Sequence, residues 1–162
     1  MKRRAFTLVE LLVVIAIVGL LSTVAVVNLQ TTRSNAKITK ARADLKQLAT
    51  TIDLARQNSN TYLMAITGSN CTYCSYCGSG DLRNIVEASV CAQGMITTIN
   101  IINAAAGKPA ITKAWRDPWG SPYQIDENEA ETTGPDNIWS VGPNGSRGDS
   151  DDIMLDISKF GI

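Results

Sequence analysis

Arg3-Arg4-Ala5-Phe6-Thr7-Leu8-Val9-Glu10 leads into an apolar run that continues from Leu11 to Val27 almost without interruption. A helix needs about 20 apolar residues to span a bilayer, so the run is long enough. One acid stands near its start. A carboxylate at the centre of a membrane helix costs roughly 2.5 kcal/mol or more, and less toward the end of the span. A lone acid is a poor choice for a plain anchor, so Glu10 is expected to have a partner. A secretory signal peptide would have a shorter apolar region closed by a small-residue cleavage site. Here the run is longer, and Ser22-Thr23-Val24-Ala25 is only a faint match to such a site. The Lys2-Arg3-Arg4 cluster predicts that the N-terminus stays cytoplasmic.

Helical character continues beyond the apolar run. Ile38, Ala41, Leu45, Leu48, Ile52 and Ala55 recur at steps of three and four, which marks a seam on one helix face. No proline occurs before Pro109, so the helix is expected to reach about Asn58. The seam predicts that its second half lies on a small globular core.

The chain has 162 residues, with Lys+Arg and Asp+Glu both numbering 15. The balance is uneven. Arg33, Lys37, Lys40, Arg42, Lys46 and Arg56 stand against Asp44 and Asp53 alone, while acids dominate from Asp117 onward. A basic stalk and an acidic head could steer neighbouring subunits together or gather divalent cations; the bland alternative is solvated faces. The basic residues have no aromatic residues among them, which argues against nucleic acid as a partner. Histidine is absent, and no phosphate loop, nucleophile elbow or HExxH-type motif is present. Composition therefore argues against an enzyme, and no catalytic residue is assigned.

The basic leader, small residue, Phe6-Thr7, aliphatic pair, Glu10 and long apolar helix resemble the N-terminus of type IV pilins and type II secretion pseudopilins. Asp117-Pro118-Trp119-Gly120-Ser121-Pro122-Tyr123, and Trp139–Gly145 with Asp151-Asp152-Ile153, resemble the C-terminal region of the major pseudopilin. The resemblance implies cleavage by a prepilin peptidase between Ala5 and Phe6, followed by methylation of the new amine on Phe6. The chain has Ala5 where glycine is usual, a difference of one methyl group. The resemblance also implies that Glu10 pairs with the Phe6 amine of a neighbouring subunit and sets the register of assembly. An ion pair in hydrocarbon costs far less than an unpaired ion.

Between these regions, 68–80 is rich in Gly, Ser, Thr, Asn and Tyr and reads as a loop. It holds Cys71, Cys74 and Cys77, with Cys91 on an expected short helix beginning near Asp81. In an exported head, four cysteines are expected to form two disulfides, although the three possible pairings cannot be told apart. A four-thiolate metal site and free thiols are the alternatives. Met95–Ala106 is expected to form a second short helix stopped at Gly107.

A turn at Asp117-Pro118-Trp119-Gly120 is followed by three strand-like stretches, Pro122–Ile125, Asn137–Val141 and Ile153–Ile157. Short spacers predict an antiparallel meander lying on the long helix, with Trp115, Trp119 and Trp139 at the edge of its core. The loop from Gly142 to Asp152 gathers several oxygen ligands, which suits calcium. It lacks the spacing of an EF-hand. It resembles the loop with which major pseudopilins bind calcium. That resemblance implies side-chain ligands from Asn144, Asp151, Asp152 and Asp149, and a main-chain oxygen near Val141. The alternative is a solvated acidic turn.

The expected architecture is a pilin-like α+β fold. It comprises a leader at 1–5, a transmembrane helix at 6–29 and its amphipathic continuation at 30–57. A cysteine-containing loop with short helices follows at 58–113, then a β-meander with the acidic loop at 114–162. The resemblance implies a structural filament subunit, the major pseudopilin of a type II secretion system. A surface type IV pilin and a minor pseudopilin are the alternatives. It would be a single-pass inner-membrane protein with its head in the periplasm or outside the cell. Its partners would be other copies of itself, the prepilin peptidase, the inner-membrane assembly machinery and, before assembly, membrane lipid.

Overall fold

Local sequence signals place several of the helix boundaries. The computed structural model describes residues 6–68, 77–78, 80–107, 115–128 and 134–157, with the backbone alone for 24–28. Helix α1 runs from Leu8 to Ser59 without a break, in keeping with the absence of proline. The chain divides into two compact units, Met1–Ala36 and Lys37–Ile162.

In the first unit, the described aliphatic side chains of α1 point outward on every side. Their exposure runs from 48% at Val13 to 82% at Leu8. Ser22 and Thr23 fold their hydroxyls back onto the helix, donating to Val18 O at 2.7 Å and Gly19 O at 2.8 Å. This local bonding satisfies both hydroxyls in an apolar setting. Among the described residues no helix is long and apolar enough to cross a membrane; the described side chains of this apolar run stop at Thr23.

In the second unit, the seam on the rest of α1 meets the core as expected. Ala41, Leu45, Leu48, Ile52 and Ala55 are buried, and Ile38 is half-buried. All but Ala41 and Ile38 join one cluster with Leu63, Met95, Ile99, Ile102, Tyr123, Ile125, Ile138 and Ile157. A five-residue helix α2, Leu63–Thr67, adds Leu63 and ends at left-handed Gly68.

Helix α3 spans Val90–Ala106 and corrects the expectation of two short helices. Ser89 caps it by accepting from Ala92 N at 3.2 Å, and left-handed Gly107 ends it. Asp81–Ser89 makes turns instead of a helix, because the Asp81 carboxylate accepts from Arg83 N and holds a turn. One continuous face, Cys91, Met95, Thr98, Ile99, Ile102 and Ala106, is buried at helical spacing.

The three strands are β1 (Gln124–Asp126), β2 (Asp136–Ser140) and β3 (Ile153–Ile157). They form the expected antiparallel meander in the order β1-β2-β3. The first begins two residues later than expected, and the second is shifted by one. Ile138 pairs with Ile125 on one side and Leu155 on the other. Period-two alternation therefore puts these residues on the core face. Asp117 knits the preceding turn to β2. It accepts from Trp119 N at 3.0 Å and Ser121 N at 2.9 Å, and from Ser140 Oγ at 2.5 Å.

A second, smaller cluster joins Cys77, Leu82, Cys91, Trp139 and Val141. Trp139 is thus buried apart from the main core, whereas Trp115 packs on the main core half-buried. Trp119 is also half-buried. Two polar pairs tie α1 to the C-terminal region: buried Arg56 Nη2 to Asp136 Oδ2 of β2 at 2.6 Å, and Tyr123 Oη, just before β1, to half-buried Asp44 Oδ2 at 2.9 Å.

Candidate assembly and cation sites

Helix α1 begins at Leu8, which makes Thr7 its N-cap and Glu10 its third residue. Glu10 Oε2 accepts from Thr7 N at 2.9 Å and Thr7 Oγ1 at 2.8 Å, and Glu10 N donates to Thr7 Oγ1 at 3.3 Å. This is a capping box, in which cap and acid satisfy each other's free N–H groups. Its signal, Thr-x-x-Glu before an apolar run, stands in the sequence. Sequence reasoning that treated Glu10 only as a charge seeking a partner passed over it. The cap gives Glu10 a role within one chain and brings its carboxylate back to the amide that follows Phe6, a residue 80% exposed. Ala5 lies outside the described residues.

Cys77 and Cys91 form a disulfide across a separation of 14 residues. Both sulfurs lie in the second hydrophobic cluster. Cys71 and Cys74 lie outside the described residues.

The acidic loop between β2 and β3 is shaped by backbone that only glycine adopts easily. Gly142 has φ +68°, and a Cβ there would stand 2.3 Å from Asp151 O. The close approach of Gly142 to Asp151 brings the two ends of the loop together. Asp149, Asp151 and Asp152 each present a carboxylate oxygen within 4.8 Å of the others. Asn144 bridges two of them, donating from Nδ2 to Asp149 Oδ2 and to Asp151 Oδ1, both at 2.7 Å. Its own Oδ1 accepts from Ser146 N at 2.6 Å. Val141 is fully buried at the start of the loop.

The electrostatics follow from this crowding. Asp149 is pulled down by its hydrogen bonds to Asp151 and Asn144, while Asp151 is pushed up by its bond to Asp149. Burial pushes Asp152 up. Asp152 Oδ2 accepts from Gly148 N at 2.7 Å, but its Oδ1 is buried with no hydrogen-bond partner. A buried carboxylate oxygen without a donor is costly, and next to two further carboxylates it suits a cation. The carboxylate oxygens of this loop could therefore hold a metal ion.

Sequence reasoning missed Asp81 and Arg83, which contact the loop from a distant segment. Arg83 Nη1 donates to Pro143 O at 2.8 Å, and Leu82 N donates to Gly145 O at 2.9 Å. No local signal marks such a contact.

Residues 1–26 match the family model described as the prokaryotic N-terminal methylation motif. The chain is 31% identical over 153 residues to the type II secretion system core protein G of Escherichia coli K12, covering 94% of this chain and 90% of that one. It is 30% identical to the protein of the same name from Pectobacterium carotovorum, covering 94% and 83% respectively. For the Pseudomonas aeruginosa protein of that name the identity is 27%, with 93% of each chain covered. No solved structure matches the chain.

Proposed function

The chain belongs to the type II secretion system core protein G family, and from that premise we propose how it works as the major pseudopilin. It is a structural filament subunit whose action is self-assembly, with no chemistry on a substrate. The observation that carries this reading is the first unit of α1. Its described aliphatic side chains are about half to four-fifths exposed on all sides. Such a surface is not left in water. Lipid covers it before assembly, with 6–29 spanning the inner membrane, and the helices of neighbouring copies cover it afterwards.

Glu10 and Phe6 give this transfer its register. The prepilin peptidase cuts after Ala5, the new amine is methylated, and it pairs with Glu10 of a neighbour. The capping box holds the Glu10 carboxylate at the helix start, against Thr7, until that pairing forms. All three relatives carry the secretion-system name, and no observation favours a surface pilus. The head, from Lys37 onward, lies in the periplasm, where Cys77 and Cys91 oxidise.

The acidic loop binds calcium through Asp149, Asp151 and Asp152, with Asn144 and the main chain at Val141 completing the set. Bound calcium would offset the repulsion among the three carboxylates and satisfy Asp152 Oδ1. The protein's part is to gather these oxygens and to fasten β2 to β3.

Intact-mass measurement of membrane-extracted protein tests the processing. The expected mature chain begins at Phe6 with one added methyl group. Glu10→Leu is expected to stay in the membrane and to give few sheared filaments. A mature chain beginning at Met1, or normal filament yield from Glu10→Leu, would refute this role. For calcium, the full chain in detergent is expected to melt several degrees higher in millimolar calcium than in chelator, with little gain from magnesium.

A further inference from the structure

We infer that Asp81 and Arg83 form a latch that positions the acidic loop for its cation. The inference rests on the calcium reading of that loop. Asn144 is the residue that touches both Asp149 and Asp151, and the latch fixes the chain on either side of it. Arg83 Nη1 holds Pro143 O at 2.8 Å, and Leu82 N holds Gly145 O at 2.9 Å. Asn144 N then donates to Asp151 Oδ2 at 3.1 Å. The backbone of Asn144 is thereby aimed at the carboxylates from outside the acidic cluster.

The latch is itself braced. Asp81 takes Arg83 Nε at 2.8 Å and Nη2 at 2.5 Å, so the guanidinium cannot swing away without breaking a forked pair. Leu82, between them, is buried in the small cluster with the Cys77–Cys91 disulfide, Trp139 and Val141. The latch is thus anchored to the disulfide on one side and to the end of β2 on the other. Gly145 fits beneath it. With φ +76°, a Cβ there would come 2.3 Å from Asp81 Oδ1 and 2.7 Å from Arg83 Cγ. The loop and the latch are shaped to each other.

The sign of the effect separates positioning from charge. Arg83 is a cation near a cation site. If charge alone mattered, removing it would tighten calcium binding. If it positions the loop, removing it weakens binding although repulsion falls. Calcium chloride is titrated calorimetrically into the full chain in detergent micelles, for the parent, Arg83→Gln, Arg83→Lys and Gly145→Ala. The expected result is a Kd raised about tenfold in Arg83→Gln, as for other groups that orient ligands. Arg83→Lys keeps the charge but loses the fork, and is expected to fall between. Gly145→Ala leaves every charge in place and is also expected to weaken binding. A Kd in Arg83→Gln equal to or below that of the parent overturns the latch and leaves the calcium reading standing. If Arg83→Gln does not fold, equal affinity in Arg83→Lys and Gly145→Ala overturns it instead. A parent chain that takes up no calcium overturns the calcium reading, and the latch with it.

Discussion

Replacing Arg56 with Met is expected to destabilise the second unit more than replacing Arg56 and Asp136 together. Arg56 is 1% exposed and Asp136 is 0% exposed. Asp136 Oδ2 accepts from Arg56 Nη2 at 2.6 Å, and its Oδ1 accepts from Asn128 N at 2.7 Å. Arg56 also reaches the half-exposed Asp53 at 3.4 Å. Arg56→Met leaves a carboxylate in the core without its ion-pair partner, and Asp136→Leu leaves a guanidinium there. Breaking a buried pair from one side costs about 3–5 kcal/mol, whereas exchanging both partners for apolar groups is close to neutral. The double variant still loses the acceptor for Asn128 N, which costs about 1–3 kcal/mol. For a unit of this size, each kcal/mol shifts Tm by roughly 3–5 °C. Each single variant is therefore expected to melt roughly 10–20 °C lower. The double variant should lose less than either single one. The assay is thermal unfolding of the full chain in detergent, followed by circular dichroism, as a double-mutant cycle. Single variants that melt within a few degrees of the parent, or a double variant whose loss equals the sum of the two, would refute the reasoning.

Two further outcomes are expected. The Cys77–Cys91 bridge closes a loop of 14 residues, and chain entropy assigns such a bridge about 3 kcal/mol through the unfolded state. The double variant Cys77→Ala/Cys91→Ala should show a loss of that order in chemical denaturation, and an unchanged midpoint would contradict it. The pH dependence of the latch follows from Asp81, whose carboxyl the Arg83 hydrogen bonds pull down to about 2. The folded-state pKa lies below the ordinary value, so the contribution of the latch is present above about pH 4 and fades as pH falls toward 2. Carboxyl NMR titration should place the Asp81 midpoint near 2 in the parent and move it up toward the ordinary aspartate range in Arg83→Gln.

Much of this architecture was legible because it is written in local periodicity. The apolar run after Arg3-Arg4-Ala5-Phe6 and the lone Glu10 need no fold to be noticed, since both follow from the cost of charge in hydrocarbon. The Ile38–Ala55 seam reported a buried helix face because residues three and four apart must share a side. Ile153–Ile157 matched β3 to the residue, being short, aliphatic and bounded by turn residues. Helix α3 was misread as two pieces, although Cys91, Met95, Ile99, Ile102 and Ala106 carry its period. The attractive start at Asp81 obscures the stronger cap at Ser89. What could not be read lies far apart in the chain. Arg56 in the last turn of a helix looks like a solvated cation, yet it is buried on Asp136, 80 residues away. Tyr123 meets Asp44 at a separation of 79, and Arg83 meets Pro143 at 60. The acids of the loop were visible as residue types, but not the orphaned Asp152 oxygen or the latch that aims Asn144. Periodicity is fixed by the neighbours of each residue along the chain, so sequence alone determines which faces seek burial. Which buried charge meets which partner depends on how those faces close on one another, and only the tertiary structure decides that.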